Sequence, residues 1–517
     1  MRVWRGVVLL CSLAVGCGGP LPEETLQEDE RPQASSPVED GDEAPAAQWG
    51  RPKLGTARMV KDLFPPSEVP PRLAPGPESL VEFRGKLYFA VNLEDGRRGL
   101  WKSNGTAAGT VPVKEFPPLP SPASPSPVAE LTPVGSRLFF VVADEAHGNE
   151  LWVSDGTSGG TRLVKDLTPG RGDSFPYNLT AVGKTLLFFR YIPGTPDAPG
   201  RTELWRSDGT EAGTVRVRDM GPESSLTFSQ VLVGGTLFFV FTDPAHGTEL
   251  WKSDGTEAGT MLVGDLQPGP DSSNPFHLRA VGRYVFFITT TSDGVSRLWR
   301  TDGTEAGTVL VEEFPPGPDT SNPRLLGVVG RSLYFTLTHL SDHRLYLYRL
   351  KVDGSGGISS RLVAALPNPF ADEPDADPYI TTFTVAGGKL FFALAISSTG
   401  PAPRDVQLWV TDGTRSGTKL LHRPLSLSDE FESQLHTLDD RILFSAIGEG
   451  TGLEPWVSNG TVRGTRMVQD LSPGPGSSYP SGFTRVGSSV FFVAHEPVHG
   501  NELWVLPLRR PLASDSE

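Results

Sequence analysis

The chain has 517 residues, including 58 Gly, 48 Pro and only 2 Cys, and its formal net charge at pH 7 is −15. Apolar residues make up 37% and aromatic residues 9%, which excludes a wholly disordered chain, while the frequent Gly and Pro exclude long helices. The acidic balance argues against nucleic acid and anionic membrane surfaces as partners, because both require a basic face. The composition therefore favours an all-β protein.

Residues 1–16 have the pattern of a signal peptide. Arg2 and Arg5 precede an apolar run over residues 6–15, which is too short to cross a membrane. Residues 13–17 (LAVGC) resemble a bacterial lipobox, with Ala14 where that motif usually has Leu. We predict that Cys17 is lipidated, with plain secretion as the alternative. Cleavage would remove Cys11, so the mature chain would have no partner for an internal disulfide.

Residues 17–53 are predicted to form an acidic tether. Between residues 18 and 50 there are nine acidic residues and one Arg, with Pro and Ser between them. Such a segment buries too little apolar surface to offset the entropy of ordering it. We therefore expect a location in the cell envelope, on the periplasmic or the external side, with the membrane contacted only through the lipid.

Residues 54–508 contain nine copies of one unit, 46 to 61 residues apart, a period typical of solenoids and propellers. An aromatic residue marks the same place in every copy: Trp101, Trp152, Trp205, Trp251, Trp299, Tyr348, Trp409, Trp456 and Trp504. Short apolar and aromatic runs between Gly and Asp clusters predict four strands per unit. In the third unit these strands fall at 179–182, 186–189, 203–205 and 215–220.

Two features favour a closed propeller over a solenoid. The second strand of a unit, such as residues 138–142, is apolar throughout and needs cover on both faces. The last unit stops after its third strand, and residues 55–63 match the fourth-strand segment at 160–167. We predict one β-propeller of about nine four-stranded blades, closed by an N-terminal strand, with residues 509–517 as a tail. An eight-bladed ring with one degenerate unit, or two smaller rings, remains open.

The repeated motif resembles a known family. Residues 150–161 (ELWVSDGTSGGT), 203–214 (ELWRSDGTEAGT) and 249–260 (ELWKSDGTEAGT) are similar to the ELWxxDGT repeats of bacterial secreted and lipid-anchored proteins. This resemblance covers about residues 55–508. It implies a repeat architecture and an envelope location but no established activity, so it carries no catalytic residue to this chain.

The recurring polar residues have a structural and a functional interpretation. The Asp-Gly-Thr motif could form a ring of calcium ligands, or it could form hairpin turns. Asn replaces Asp in two units, which a turn tolerates and a cation site does not, so turns are favoured. The copies occur at Asp155, Asp208, Asp254, Asp302 and Asp412, with Asn104 and Asn459 as the replacements.

The aromatic markers and three histidines also have a functional and a structural interpretation. The Trp residues could form a stacking platform for a sugar or a planar cofactor, but their place in every repeat favours packing between blades. His147, His246 and His499 each precede Gly-x-Glu but lie in different units, so they cannot converge on one ion. We predict no metal site, no cofactor and no catalytic residue.

Loop lengths suggest where a partner binds. Short turns leave one side of the ring, and long unit-specific segments leave the other, where binding is usually placed. The acidic residues Asp372, Glu373, Asp375 and Asp377 on that side are candidate ligand-binding residues. The leading hypothesis is a monomeric envelope lipoprotein that binds an unidentified protein or carbohydrate. The alternatives are a propeller enzyme of glycosidase, lyase or quinoprotein type with a channel active site, and a purely structural surface protein.

Overall fold

The computed structural model describes residues 52–64, 70–71, 74–119, 127–317, 323–373, 375–400, 402–426 and 434–509. The predicted signal peptide, Cys17, nearly all of the predicted tether and most of the predicted tail lie outside the described residues. The described chain contains 37 β-strands and no regular helix, so no helix in it could cross a membrane.

Eight blades are four-stranded antiparallel sheets of consecutive strands, and the ninth adds strands from the start of the described chain. The strands of blades 1 to 3 are β3 (Glu78–Phe83), β4 (Lys86–Asn92), β5 (Arg98–Ser103), β6 (Val111–Phe116), β7 (Ala129–Val134), β8 (Arg137–Asp144), β9 (Gly148–Ser154), β10 (Arg162–Leu163), β11 (Pro176–Val182), β12 (Thr185–Ile192), β13 (Arg201–Ser207) and β14 (Val215–Pro222). Those of blades 4 to 6 are β15 (Ser225–Val233), β16 (Thr236–Asp243), β17 (Gly247–Ser253), β18 (Met261–Leu262), β19 (Phe276–Val281), β20 (Tyr284–Thr290), β21 (Ser296–Thr301), β22 (Val309–Phe314), β23 (Arg324–Val329), β24 (Ser332–His339), β25 (Arg344–Val352) and β26 (Ile358–Leu366). Those of blades 7 to 9 are β27 (Pro378–Ala386), β28 (Lys389–Ile396), β29 (Asp405–Thr411), β30 (Lys419–His422), β31 (His436–Leu438), β32 (Arg441–Ile447), β33 (Leu453–Ser458), β34 (Arg466–Met467), β35 (Ser481–Val486), β36 (Ser489–Glu496) and β37 (Gly500–Arg509), joined by β1 (Lys53–Leu54) and β2 (Arg58–Lys61).

The blades form a ring with the first strand of each blade innermost. First strands of neighbouring blades contact each other, for example β3 with β7, β19 with β23 and β23 with β27, and β35 of blade 9 contacts β3 of blade 1. The predicted nine-bladed propeller is confirmed, and the eight-bladed ring and the two smaller rings are excluded.

The N-terminal strand completes the last blade, as the sequence predicted. Strand β2 pairs antiparallel with β37, with Met59 opposite Trp504, and β1 extends the same edge with Leu54 opposite Leu508. This pairing covers the edge that β37 would otherwise expose, which protects the sheet from association with another edge.

The core lies between the blades. Every residue of the apolar run Leu138 to Val142 in β8 is buried, since one face of the strand packs on blade 1 and the other on blade 3. Because the second strand has a blade on both sides, it needs no polar alternation.

Each marker aromatic residue packs against the preceding blade. The Trp152 ring meets Phe116 of blade 1 edge to face at 5.0 Å, and the Trp456 ring lies 4.2 Å from His422 of blade 7. A basic side chain from the preceding blade often covers the ring, as Lys114 covers Trp152 at 5.9 Å and Arg218 covers Trp251 at 5.6 Å. Cation–π contact therefore adds to apolar burial at these blade junctions.

The antiparallel order of strands gives the ring two distinct faces. Hairpins joining strands one and two, and strands three and four, lie on what we call the turn face. The segments joining strands two and three, and those joining one blade to the next, lie on the opposite loop face. The first strand of each blade starts at the loop face, so its first residues lie at that mouth of the central channel.

Candidate ligand-binding surface

Buried glutamates of the third strands hold the loop-face connections in place. The Glu150 carboxylate is fully buried and accepts hydrogen bonds from the backbone N–H of Leu167 and of Thr168, at 3.3 and 3.2 Å. The Ser174 hydroxyl donates to the same carboxylate at 2.6 Å. Glu249 and Glu454 hold the connections after blades 4 and 8 in the same way. These glutamates therefore fix the path of the chain from one blade to the next.

Burial makes these carboxyl groups hard to ionise. It raises the pKa of Glu150 from 4.5 to about 7, although the hydrogen bonds from Ser174, Leu167 and Thr168 oppose the shift. Burial likewise raises the pKa of Glu502 to about 8, against the backbone hydrogen bonds from Phe64 and Leu63. Glu502 thus ties the N-terminal strand to the last blade through a group that carries a proton at neutral pH.

The same glutamates explain a difference from the predicted strand lengths. The fourth strands of blades 2, 4 and 8 are only two residues long, because the chain leaves the sheet to reach its glutamate. In blade 3 the equivalent Glu203 pairs with Arg216 at 2.8 Å and accepts from the Trp205 indole at 2.9 Å, and strand β14 runs for eight residues. The sequence showed the recurring Glu but not its partner.

The candidate acidic residues lie on the connection between blades 6 and 7, on the loop face. The Glu373 carboxylate lies 2.5 Å from the Arg404 guanidinium of blade 7. The Asp377 carboxylate lies 2.7 Å from the His343 imidazole of blade 6. Asp372 and Asp375 are exposed. Glu373 and Asp377 thus brace the loop through ion pairs, although Glu373 is itself exposed, as Asp372 and Asp375 are.

The Asp-Gly-Thr motifs form the hairpins between strands three and four, on the turn face. The Asp155 carboxylate accepts from the Thr157 N–H at 2.9 Å and from its hydroxyl at 2.7 Å, and Gly156 has a φ of +93°. Asn104 makes the same two bonds to Thr106, at 3.0 and 2.8 Å. These hydrogen bonds lower the pKa of Asp155. In each motif the Oδ1 atom accepts both bonds from the Thr two residues later.

The three histidines stay in their own blades. The His147 imidazole lies 2.9 Å from the Asp144 carboxylate, His246 lies 3.0 Å from Asp243, and His499 contacts Glu496. Each pair closes a short loop between the second and third strands. The described residues contain no group of three or more His, Cys, Asp or Glu arranged to hold a metal ion.

A basic cluster at the loop-face mouth of the channel was not predicted. His277 and Arg279 lie on β19 of blade 5, and Arg324 is the first residue of β23 of blade 6. The Arg279 guanidinium donates to the carbonyls of Leu325 and Leu326 in the first strand of blade 6. It also stacks on Phe383 of blade 7 at 4.8 Å, so the cluster spans three blades along the channel wall. No local motif marks these residues, because the ring alone brings them together.

The cluster is half-buried, and its charges oppose one another. Burial lowers the pKa of Arg279 to about 10, and the positive charge of Arg324 adds to the effect. Burial also lowers the pKa of His277 to about 4, with further contributions from Arg324 and Arg279, so this imidazole is neutral at pH 7.

A concavity lies on the turn face, between blades 5 and 6. It has a volume of about 280 Å³ and is lined by polar groups that include Arg283, Tyr284, Arg331 and Asp353. It occurs at the unit whose turn sequence departs most from the motif. The Asp353 Oδ1 accepts from the backbone N–H groups of Ser355 and Gly357 in its own turn, at 2.9 and 2.8 Å.

Comparison with known proteins shows only remote structural likeness. No protein-family model and no curated protein matches the chain. Puromycin hydrolase in complex with PGG matches with 15% identity and a TM-score of 0.35, over 68% of this chain and 59% of that one. The β-propeller domain of the Trilobed protease from Pyrococcus furiosus matches with 11% identity and a TM-score of 0.33, over 66% and 93%. Sqt1 from Saccharomyces cerevisiae matches with 11% identity and a TM-score of 0.39, over 88% and 99%. The chain thus spans about three fifths of the puromycin hydrolase, and these likenesses support no inference about activity.

Proposed function

We propose that this protein is a lipid-anchored component of the cell envelope whose propeller is a binding scaffold, recognising a protein or a carbohydrate on its loop face. The observation that carries the proposal is the contrast between the two faces. The turn face repeats one hydrogen-bonded hairpin, whereas the loop face presents segments that differ between blades on a fixed frame. Variable segments on a rigid frame are the usual setting for recognition.

The connection between blades 6 and 7 is proposed as part of the recognition surface. Its two bracing contacts, from Arg404 and from His343, restrict the loop before any partner arrives. Less conformational entropy is then lost on binding. The exposed carboxylates of Asp372 and Asp375 are proposed to contact the partner directly.

The surface is tested by removing charge without removing the bracing contacts. The Asp372→Asn, Asp375→Asn double variant is compared with a Glu211→Gln, Glu305→Gln double variant, which makes the same charge change at exposed positions of the turn face. We expect binding to arrays of glycans and envelope proteins to weaken only in the loop-face variant. Equal binding by both variants and the parent protein would count against this surface.

The anchor is tested separately by fractionation of cells that express the parent protein or the Cys17→Ser variant. We expect the parent protein in the membrane fraction with incorporated radiolabelled palmitate, and the variant without label. A cytosolic pool of the parent protein, or equal labelling of the variant, would contradict the proposed anchor.

A propeller enzyme with a channel active site is the second candidate. The basic cluster of His277, Arg279 and Arg324 favours it, because cationic groups stabilise negative charge that develops in a transition state. Turnover of glycosides or acidic polysaccharides by the parent protein, abolished by Arg324→Gln, would establish it, and the absence of turnover across that panel would remove it.

A further inference from the structure

Blade 6 has a shorter turn between its third and fourth strands than its neighbour with the Asp-Gly-Thr motif. The turn of blade 5 spans residues 301–308, between the paired residues Arg300 and Val309. The turn of blade 6 spans only residues 353–357. The shorter turn covers less of the first hairpins of blades 5 and 6, and the turn-face cavity of about 280 Å³ lies beside it.

Two arginines that line this cavity lack the bond to the next blade that a basic residue makes elsewhere. In blade 1, Arg84 donates to the Asp155 carbonyl of blade 2 at 3.1 Å. Arg283 instead donates to the Tyr284 hydroxyl of its own hairpin at 2.7 Å, and the Arg331 guanidinium has no hydrogen bond within the described residues. Both arginines are exposed, so most of their donors are open to a ligand.

The turn of blade 6 brings both arginines to one concave surface. A Cβ atom placed at Gly354 would lie 3.5 Å from Nη1 of Arg331, and one placed at Gly356 would lie 2.7 Å from the Tyr284 hydroxyl. Arg331 and the hydroxyl that accepts from Arg283 therefore adjoin nearby positions of the same turn. A carboxylate in the cavity could accept charge-assisted hydrogen bonds from both guanidinium groups.

Asp353 supplies the opposite charge in the same lining. The hydrogen bonds from Ser355 and Gly357 end on its Oδ1, at 2.7 to 2.9 Å, which leaves Oδ2 able to accept another donor. This exposed carboxylate would repel a purely anionic ligand, and the two arginines would repel a purely cationic one. A ligand that carries both charges complements the whole lining.

We propose that the turn-face cavity between blades 5 and 6 binds the zwitterionic end of an α-amino acid, with the carboxylate on Arg283 and Arg331 and the ammonium on Asp353. A guanidinium fork matches the two oxygens of a carboxylate. Because the Tyr284 hydroxyl accepts from Arg283, its own proton can be donated to the same carboxylate. The site lies on the face opposite the proposed recognition surface and is independent of it.

The test is calorimetric titration of the purified full-length protein with L-leucine, isocaproate, isoamylamine and inorganic phosphate. Isocaproate is leucine without its ammonium, and isoamylamine is leucine without its carboxylate. We expect leucine to bind and each analogue to bind at least about tenfold more weakly, because each loses a charge-assisted contact. Isocaproate or phosphate binding as tightly as leucine would overturn the zwitterion assignment, and absence of leucine binding would overturn the site.

The arginines are tested by the Arg283→Gln, Arg331→Gln double variant. Its control is the Lys184→Gln, Arg463→Gln double variant, which removes two positive charges from exposed turn-face positions of blades 3 and 8. We expect the cavity variant to bind leucine at least about tenfold more weakly and to lose the preference for leucine over isoamylamine. The control should bind leucine as the parent protein does, and equal affinity in the two variants would contradict the proposed contacts.

Asp353→Asn tests the ammonium contact separately. It keeps an oxygen acceptor for the turn and removes the negative charge, so the preference for leucine over isocaproate should disappear while that over isoamylamine remains. The substituted side chains are exposed, and the thermal midpoints should stay close to that of the parent protein. A parent-like preference for leucine over isocaproate in Asp353→Asn would refute the assigned role of Asp353. None of these outcomes bears on binding at the loop face, which the Asp372 and Asp375 variants test.

Discussion

The carboxyl group of Glu502 should make the stability of the propeller depend on pH. It is fully buried and accepts from the N–H groups of Leu63 and Phe64, at 2.8 and 2.7 Å, which join the start of the ring to its last blade. Its pKa rises from 4.5 to about 8 on folding. The folded state therefore binds more protons than the unfolded state between these two values, and the free energy of unfolding falls as the pH rises through that window.

The magnitude follows from the shift. One pKa unit corresponds to about 1.4 kcal/mol. Between pH 4.5 and pH 7 this group therefore lowers the free energy of unfolding by at most about 3 kcal/mol. Glu502→Gln keeps an acceptor for the two N–H groups and cannot ionise. Gln407 already occupies the equivalent place in blade 7, where it is 1% exposed, so the fold accommodates this side chain.

The assay is urea unfolding followed by Trp fluorescence at half-unit steps from pH 4.5 to pH 8.5. The stability of Glu502→Gln relative to the parent protein should improve steadily toward high pH, while the exposed control Glu211→Gln should follow the parent at every pH. Parallel profiles for the parent protein and Glu502→Gln would refute the reasoning, because they would show that Glu502 does not change its protonation on folding.

Three further predictions follow from the ring and its turns. Trp251→Ala removes a 6%-exposed ring from the junction of blades 3 and 4. Chemical denaturation should therefore show a free energy of unfolding lower by about 3–5 kcal/mol. A loss below about 1 kcal/mol would argue against a packing role. Asp254→Asn should change the free energy of unfolding little, whereas Asp254→Ala should lower it by about 1–2 kcal/mol, since only Ala loses both bonds to Thr256. If calcium stabilised the parent protein but not Asp254→Asn, the cation interpretation would be supported instead. Deletion of residues 58–61 should leave β37 unpaired around Trp504 and Val505 and produce dimers or larger species by light scattering. A monomer with an unchanged melting temperature would contradict the closure role.

Much of the fold was predictable because each blade is specified by a short sequence pattern that recurs along the chain. One template of apolar second strand, Leu-Trp third strand and Asp-Gly-Thr turn recurs along the chain, and the match of residues 55–63 to a missing strand gave the closure. The lengths of the fourth strands were not predictable. They depend on whether the Glu two residues before Trp reaches the next connection, as Glu150 does, or an arginine, as Glu203 does.

The features of the candidate sites also divide into those that the sequence revealed and those that only the structure revealed. The sequence by itself determined the repeating units and the loop that carries Asp372 and Asp375, because each of these is a property of contiguous residues, whereas the single ring of nine blades was decided by the structure. Only the tertiary structure decided that Glu373 and Asp377 are engaged by Arg404 and His343. It alone placed His277, Arg279 and Arg324 together, because innermost strands separated by more than forty residues become neighbours only when the ring closes around its channel. Electrostatic effects depend on distance and burial in space, so a cluster of this kind leaves no signal in the order of residues along the chain.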